Sequence, residues 1–258
     1  MFTFFQDEVK DVGLPERTDI VVNVSGENIL NRGRRWSERL RDDIFNSRLQ
    51  TTAMLVAAAA EQKPSVYLGI SGISAYRETS ATVHDEDSRD MGDHLWAQLC
   101  LQLEQTALQG LKSTRCVVFR SGVVLGREGG MIRELMLPFK LGLGARLGSG
   151  EQPLPFIHVR DLANLFLFCA QNEKARGIVN AVAPQRATNG QFTRAFARAL
   201  HRPALLSIPD SVIKLMYGAE RAQLVLKAPL VHPRRALDLG FQFTCPDIES
   251  ACSLLVSA

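Results

Sequence analysis

No hydrophobic run in this 258-residue chain approaches the length of a membrane span, so the sequence predicts no membrane-crossing helix and no membrane partner. An excess of one charge is nearly lacking too: 30 basic against 27 acidic residues leave a formal charge of +3. Such an excess attracts a phosphorylated small molecule at most, and no nucleic-acid partner is predicted. Cysteine is sparse and unpatterned. Cys100, Cys116, Cys169, Cys245 and Cys252 are odd in number and include no C-x-x-C pair. That excludes a disulfide scaffold and a zinc site, and it predicts an intracellular protein, cytoplasmic by default. The opening Met1–Glu8 has no basic stretch and soon turns acidic, so it reads as neither a secretory signal nor a transit peptide. Organellar targeting stays open, because the start reads as shortened. Glycine is scarce at that start, where the first nineteen residues hold only Gly13.

What is present is an α/β alternation. Ile20–Asn23 reads as a buried parallel strand running into the polar turn Val24-Ser25-Gly26-Glu27-Asn28. A long helix over Trp36–Ala60 follows, with Trp36, Leu40 and Ile44 at four-residue spacing. Then come a strand at Ser65–Ile70, a helix at Leu95–Leu108 and a strand at Arg115–Arg120. After Gly150 the pattern predicts a strand at Phe156–Val159, a helix over Asp161–Gln171, a strand at Ile178–Ala181 and a helix over Gln191–Leu200. The glycine-rich run from Gly142 to Gly150 reads as a flexible loop, and Gly126, Gly129 and Gly130 as turn residues. The alternation predicts a Rossmann-like, doubly wound parallel sheet in residues 1–204. From Leu205 the prolines Pro209, Pro229, Pro233 and Pro246 divide short elements, so 205–258 reads as a small C-terminal cap.

Several short motifs recur in a fixed order. They are Asn23-Val24-Ser25-Gly26-Glu27-Asn28-Ile29, Asn46-Ser47-Arg48, Ser71-Gly72-Ile73-Ser74-Ala75-Tyr76, Arg120-Ser121-Gly122-Val123-Val124-Leu125-Gly126 and Phe156-Ile157-His158-Val159-Arg160-Asp161. The series resembles the extended short-chain dehydrogenase/reductase superfamily of NAD-dependent epimerases and dehydratases. Pro233-Arg234-Arg235-Ala236-Leu237 and Leu239-Gly240-Phe241-Gln242-Phe243 are similar to the C-terminal domain of its cell-division-inhibitor-like branch. The resemblance spans nearly the whole chain. It departs at the start, where the family's G-x-x-G-x-x-G turn, helix and second strand are lacking. That turn presents backbone N–H groups and a helix N-terminus to a pyrophosphate. The resemblance therefore predicts an N-terminally truncated fold in which Ile20–Asn28 is the fourth strand and its turn.

The resemblance implies an NADP site whose remaining wall is Val24 and Ser25 on the adenosine side, Asp43 and Arg48 on the following helix, and Val124 near the nicotinamide end. It places Ser71, Tyr76 and His158 at the substrate pocket. The bland alternatives are a surface pair for Asp43 and Arg48, satisfied polar groups at a strand end for Ser71 and Tyr76, and a core histidine bonded to a backbone carbonyl for His158, with Asp161 capping the helix. The family's Tyr-x-x-x-Lys pair falls on Trp96 and Cys100. Neither can replace a tyrosine whose proton a neighbouring lysine loosens. Three readings follow: an NADP-linked oxidoreductase or epimerase-like enzyme of unknown substrate, a non-catalytic nucleotide-binding or interaction scaffold, and a truncated product unable to bind cofactor. Unpaired sheet edges predict self-association.

Overall fold

The computed structural model describes residues 13–30, 33–78 and 82–257. The opening run Met1–Glu8 lies outside the described residues.

Strand β1 (Ile20–Asn23) leads to helix α1 (Glu38–Gln62), which starts two residues later than its apolar spacing suggests. Ser37 sets the boundary, because its extended backbone lets the side chain accept the Leu40 N–H. Strand β2 (Val66–Gly72), helix α2 (Leu95–Gly110) and strand β4 (Arg115–Ser121) continue the alternation, with the two-residue strand β3 (Val83–His84) between β2 and α2. Strands β5 (Val123–Leu125), β6 (Ala145–Leu147) and β7 (Phe156–His158) flank helix α3 (Gly130–Lys140). Helix α4 (Val159–Gln171), strand β8 (Gly177–Ala181) and helix α5 (Asn189–Ala199) complete the main body.

The principal sheet has the order β1-β2-β4-β8 and is parallel throughout, with Val21 opposite Tyr67, Leu68 opposite Val117 and Val118 opposite Ile178. Successive side chains point to opposite faces. One face sends Val21, Tyr67 and Val118 against Val56 of α1 and Ala107 of α2. The other sends Leu68, Val117, Phe119 and Val179 against Leu165 and Phe166 of α4. Helices thus cover both faces, and the fold is the Rossmann-like doubly wound type. β1 forms one edge of the sheet among the described residues, and its Ile20 and Val22 are half-exposed.

The C-terminal elements meet the main body at several places. Strand β9 (Leu206–Ile208) pairs with β6. Helices α6 (Asp210–Tyr217) and α7 (Ala219–Leu226) reach back to the loop after β1. Strand β10 (Leu230–Val231) pairs with β3, helix α8 (Arg234–Asp238) follows it, and helix α9 (Ile248–Ser257) packs on α5. Ile248, Cys252 and Leu255 of α9 share a core with Phe139, Phe192 and Phe196. Two local expectations are corrected. The 142–150 segment is not a plain flexible loop, because Ala145–Leu147 within it forms a parallel ladder with β9. Gly130 is not only a turn residue but opens α3 in the left-handed region, at φ +55°.

Candidate active site

The carboxyl ends of β1, β2 and β4 are where an open α/β sheet receives a ligand. At the end of β1, buried Asn23 donates to Thr52 Oγ1 at 2.9 Å and Tyr67 Oη at 3.1 Å. Its side-chain oxygen Oδ1 accepts from Ser25 N–H and from Ser25 Oγ, the latter at 2.7 Å. This internal bonding bends the chain so that Val24, Ser25 and Gly26 stand exposed above the strand. Gly26 lies directly over the Arg48 guanidinium, so close that a Cβ there would be 2.5 Å from Arg48 Cζ and would push the side chain aside.

Arg48 and Asp43, one and a half turns apart on α1, have separated roles. Asp43 turns outward to Arg34 Nη2 at 2.6 Å. Arg48 turns inward beneath Gly26, donates to the Ile44 carbonyl of its own helix at 3.1 Å, and has no carboxylate partner among the described residues. Burial lowers its pKa and outweighs the opposing charge of nearby Glu27.

At the ends of β2 and β4 lies a polar network. Ser71 Oγ donates to Glu104 Oε1 at 2.8 Å, and buried Arg120 grips the same carboxylate through Nε at 2.8 Å and Nη2 at 2.6 Å. Burial opposes charge on Arg120, but the hydrogen bonds and charge of Glu104 prevail and its pKa is raised. The guanidinium lies 4.5 Å from the centre of the Tyr76 ring, which also stacks on His84. Tyr76 Oη bonds Asn180 Oδ1 at 2.8 Å and lies 2.9 Å from the Asp85 carbonyl oxygen. Burial pushes the Tyr76 pKa up, which makes this phenol a poor proton donor.

The two positions that the resemblance gives to a tyrosine and a lysine are built for other tasks. Trp96 is buried and donates its indole N–H to the Glu220 carbonyl at 3.0 Å, tying α7 to α2, while Trp36 packs on its ring. Cys100 sits under Gly72, where a Cβ would come within 3.2 Å of its sulfur, and burial pushes the thiol to about 12. It is protonated at neutral pH.

His158 ends β7 and is the N-cap of α4: Nδ1 accepts the Arg160 N–H at 3.1 Å. The expectation of a histidine bonded to a carbonyl beside a capping Asp161 is corrected. Asp161 instead accepts Thr244 N–H and Cys245 N–H at 2.9 and 2.8 Å, anchoring the chain before α9. Val124, half-buried in β5 opposite Ile157, lies next to that strand end. The structure thus gathers Val24, Ser25 and Arg48 at β1, and Ser71 and Tyr76 at β2, while Val124 and His158 lie on the adjoining β5–β7 pair. Asp43 stays on the surface.

Sequence reasoning missed Arg120 and Asn180 as members of the network. The available signal was a charged or amide side chain ending an otherwise apolar strand, as in Cys116-Val117-Val118-Phe119-Arg120. Among the described residues no group of three His, Cys, Asp or Glu side chains could hold a metal ion, and no helix is long and apolar enough to cross a membrane.

The chain resembles known proteins over nearly its full length. The family model for NAD dependent epimerase/dehydratases matches residues 6–181, and a domain of unknown function, DUF1731, matches 208–255. The epimerase family protein SDR39U1 of Bos taurus is 40% identical over 97% of this chain and 86% of its own length, and the Homo sapiens protein is 38% identical over 97% and 86%. A crystal structure of the human protein, isoform 2, with NADPH superposes at a TM-score of 0.94 and 38% identity, covering 98% of this chain and 86% of that one. The fold match, the ordered strand-end motifs and these relatives agree, and the chain belongs to the NAD-dependent epimerase/dehydratase family, with its DUF1731 domain at the C-terminal end.

Proposed function

We propose that this protein binds NADP(H) across the carboxyl ends of β1, β2 and β4 and acts as an NADP-linked oxidoreductase of epimerase type. The observation that carries the reading is Arg48, a part-buried cation with no ion-pair partner among the described residues, held beneath Gly26 at the mouth of the strand ends. Such a group suits a phosphate. The exposed turn Val24-Ser25-Gly26 leaves room for the adenosine side, and Val124 stands nearer the pocket side. NADPH in the human relative supports the choice of cofactor. When bound, the nicotinamide supplies hydride chemistry. The chain's own contribution is the Ser71–Glu104–Arg120–Tyr76 network, in which Ser71 Oγ, its proton committed to Glu104, can accept a hydrogen bond from a substrate hydroxyl.

A second reading, a nucleotide-binding scaffold without turnover, is favoured by Trp96 and Cys100, which leave no tyrosine–lysine proton relay. Five buried, free cysteines support an intracellular and reducing location, the cytoplasm or an organelle.

Titration of the protein with NADPH, followed by tryptophan fluorescence, tests the proposal. Saturable binding is expected, with Arg48→Ala weakening it by about tenfold, the scale of one charge-assisted hydrogen bond. Unchanged affinity in Arg48→Ala would remove the basis of the assignment. Oxidation of bound NADPH by any member of a carbonyl panel selects the enzyme over the scaffold.

A further inference from the structure

We propose that the corner made by the end of α3, the turn after it and the start of β9 lies against an anionic lipid bilayer. Leu137, Leu141 and Leu143 are 65%, 65% and 57% exposed, and Leu205 and Leu206 are 91% and 51% exposed. These residues come from two distant segments that the fold places side by side. Gly142 packs on Pro203, with a Cβ position 3.6 Å from the proline ring. Arg202 Nε donates to the Lys140 carbonyl at 2.8 Å, and the β6–β9 ladder begins at once with Ala145 opposite Leu206. Leu137 and Leu141 are one helical turn apart and share a face.

Single exposed leucines are ordinary on a protein surface, but five in one patch are not. Their exposure also says what shape the patch has. A leucine 91% exposed projects from the surface, whereas a groove for a partner helix would shelter the residues lining it. Projecting apolar side chains on turns suit insertion among lipid headgroups.

The charge around them points the same way. Lys140 and Arg202 lie within the patch, and Arg146 and His201 flank it; all four are exposed. Neither Lys140 nor Arg202 has an ion-pair partner among the described residues. Apolar tips with cations beside them, and with Glu134 as the acidic neighbour one turn before Leu137, match a surface with an apolar interior and anionic headgroups. The proposal departs from the expectation of no membrane partner, which rested on the missing span. A missing span bears on crossing a bilayer, not on lying against one.

The test is co-sedimentation of the whole chain with extruded phosphatidylcholine vesicles, with and without about 30% phosphatidylglycerol. Anionic vesicles should retain roughly tenfold more protein than neutral ones, and high salt should reduce that retention. Leu141→Asp with Leu205→Asp should abolish retention, and Lys140→Glu should lower it several-fold. All three sites are exposed, so melting temperature and NADPH titration should match the unmodified chain. If the aspartate pair disturbs the fold, Leu141→Ser with Leu205→Ser gives the same reading. Equal retention on neutral and anionic vesicles, or none on either, overturns the proposal. Sedimentation equilibrium showing a dimer that the double substitution dissolves would overturn it too, by giving the patch to a second copy of the chain.

Discussion

His158 caps α4 only while Nδ1 carries no proton, because that nitrogen accepts the Arg160 N–H. Burial holds its pKa below the ordinary 6.5. Between the lowered folded value and the ordinary one, the unfolded chain takes up the extra proton. The contribution is therefore fully present above about 6.5 and is lost as pH falls through the folded value. Urea unfolding at a series of pH values should show this loss. His158→Asn, which can still cap and does not titrate, should flatten that part of the profile. His158→Ala should lower stability by about 0.5–2 kcal/mol near neutral pH, the cost of a lost cap. The histidine was legible in the sequence as a residue at a strand-to-helix junction. Its role was not, since either ring nitrogen can bond and only the position of the Arg160 N–H chooses between them.

Among the elements, α2 shows how a site position is reassigned by its neighbours. Trp96 lies where the family resemblance places a tyrosine, and the structure gives its indole a partner 124 residues away, the Glu220 carbonyl. α7 in turn brings buried Arg221 over Trp36, 5.6 Å from its ring, and within 3.4 Å of the Ile29 carbonyl. The C-terminal segment is thereby fastened to the loop after β1. Trp96→Phe keeps most of the packing and removes the hydrogen bond. It should cost about 1 kcal/mol in chemical denaturation and hasten proteolysis within 209–226. A folded-state stability equal to the unmodified chain would show that the bond does not hold α7. Helix α2 itself was legible in the sequence, read there over Leu95–Leu108. The short ladders β3–β10 and β6–β9 were not, because strands of two or three residues have no periodicity and exist only through partners far along the chain.

At the scale of the whole molecule, the main sheet ends at β1 among the described residues. β1 leaves its outer edge unpaired among the described residues, and Ile20, Val22 and Val24 are 47%, 50% and 62% exposed. An apolar edge strand of this kind is a template for another strand. We therefore expect self-association of this chain that rises with concentration in sedimentation velocity. Val22→Lys should shift the population toward monomer without altering NADPH affinity, because Val22 does not face the Asn23–Arg48 cluster. A concentration-independent monomer would count against the expectation.

The sequence by itself determined the alternation of strands and helices, the parallel sheet it forces and the order of the strand-end motifs. Those features are local: apolar runs, helical spacing and small residues at strand ends act within a few residues of one another. Tertiary structure decided the rest. It turned Arg48 inward and Asp43 outward from the same helix, closed Glu104 onto Arg120 and Ser71, and laid the C-terminal segment against β6, α2, β3 and α5 of the main body. Each of these outcomes depends on which buried charge or backbone group meets a partner. That is fixed by contacts between residues far apart in the chain, and no local pattern encodes it.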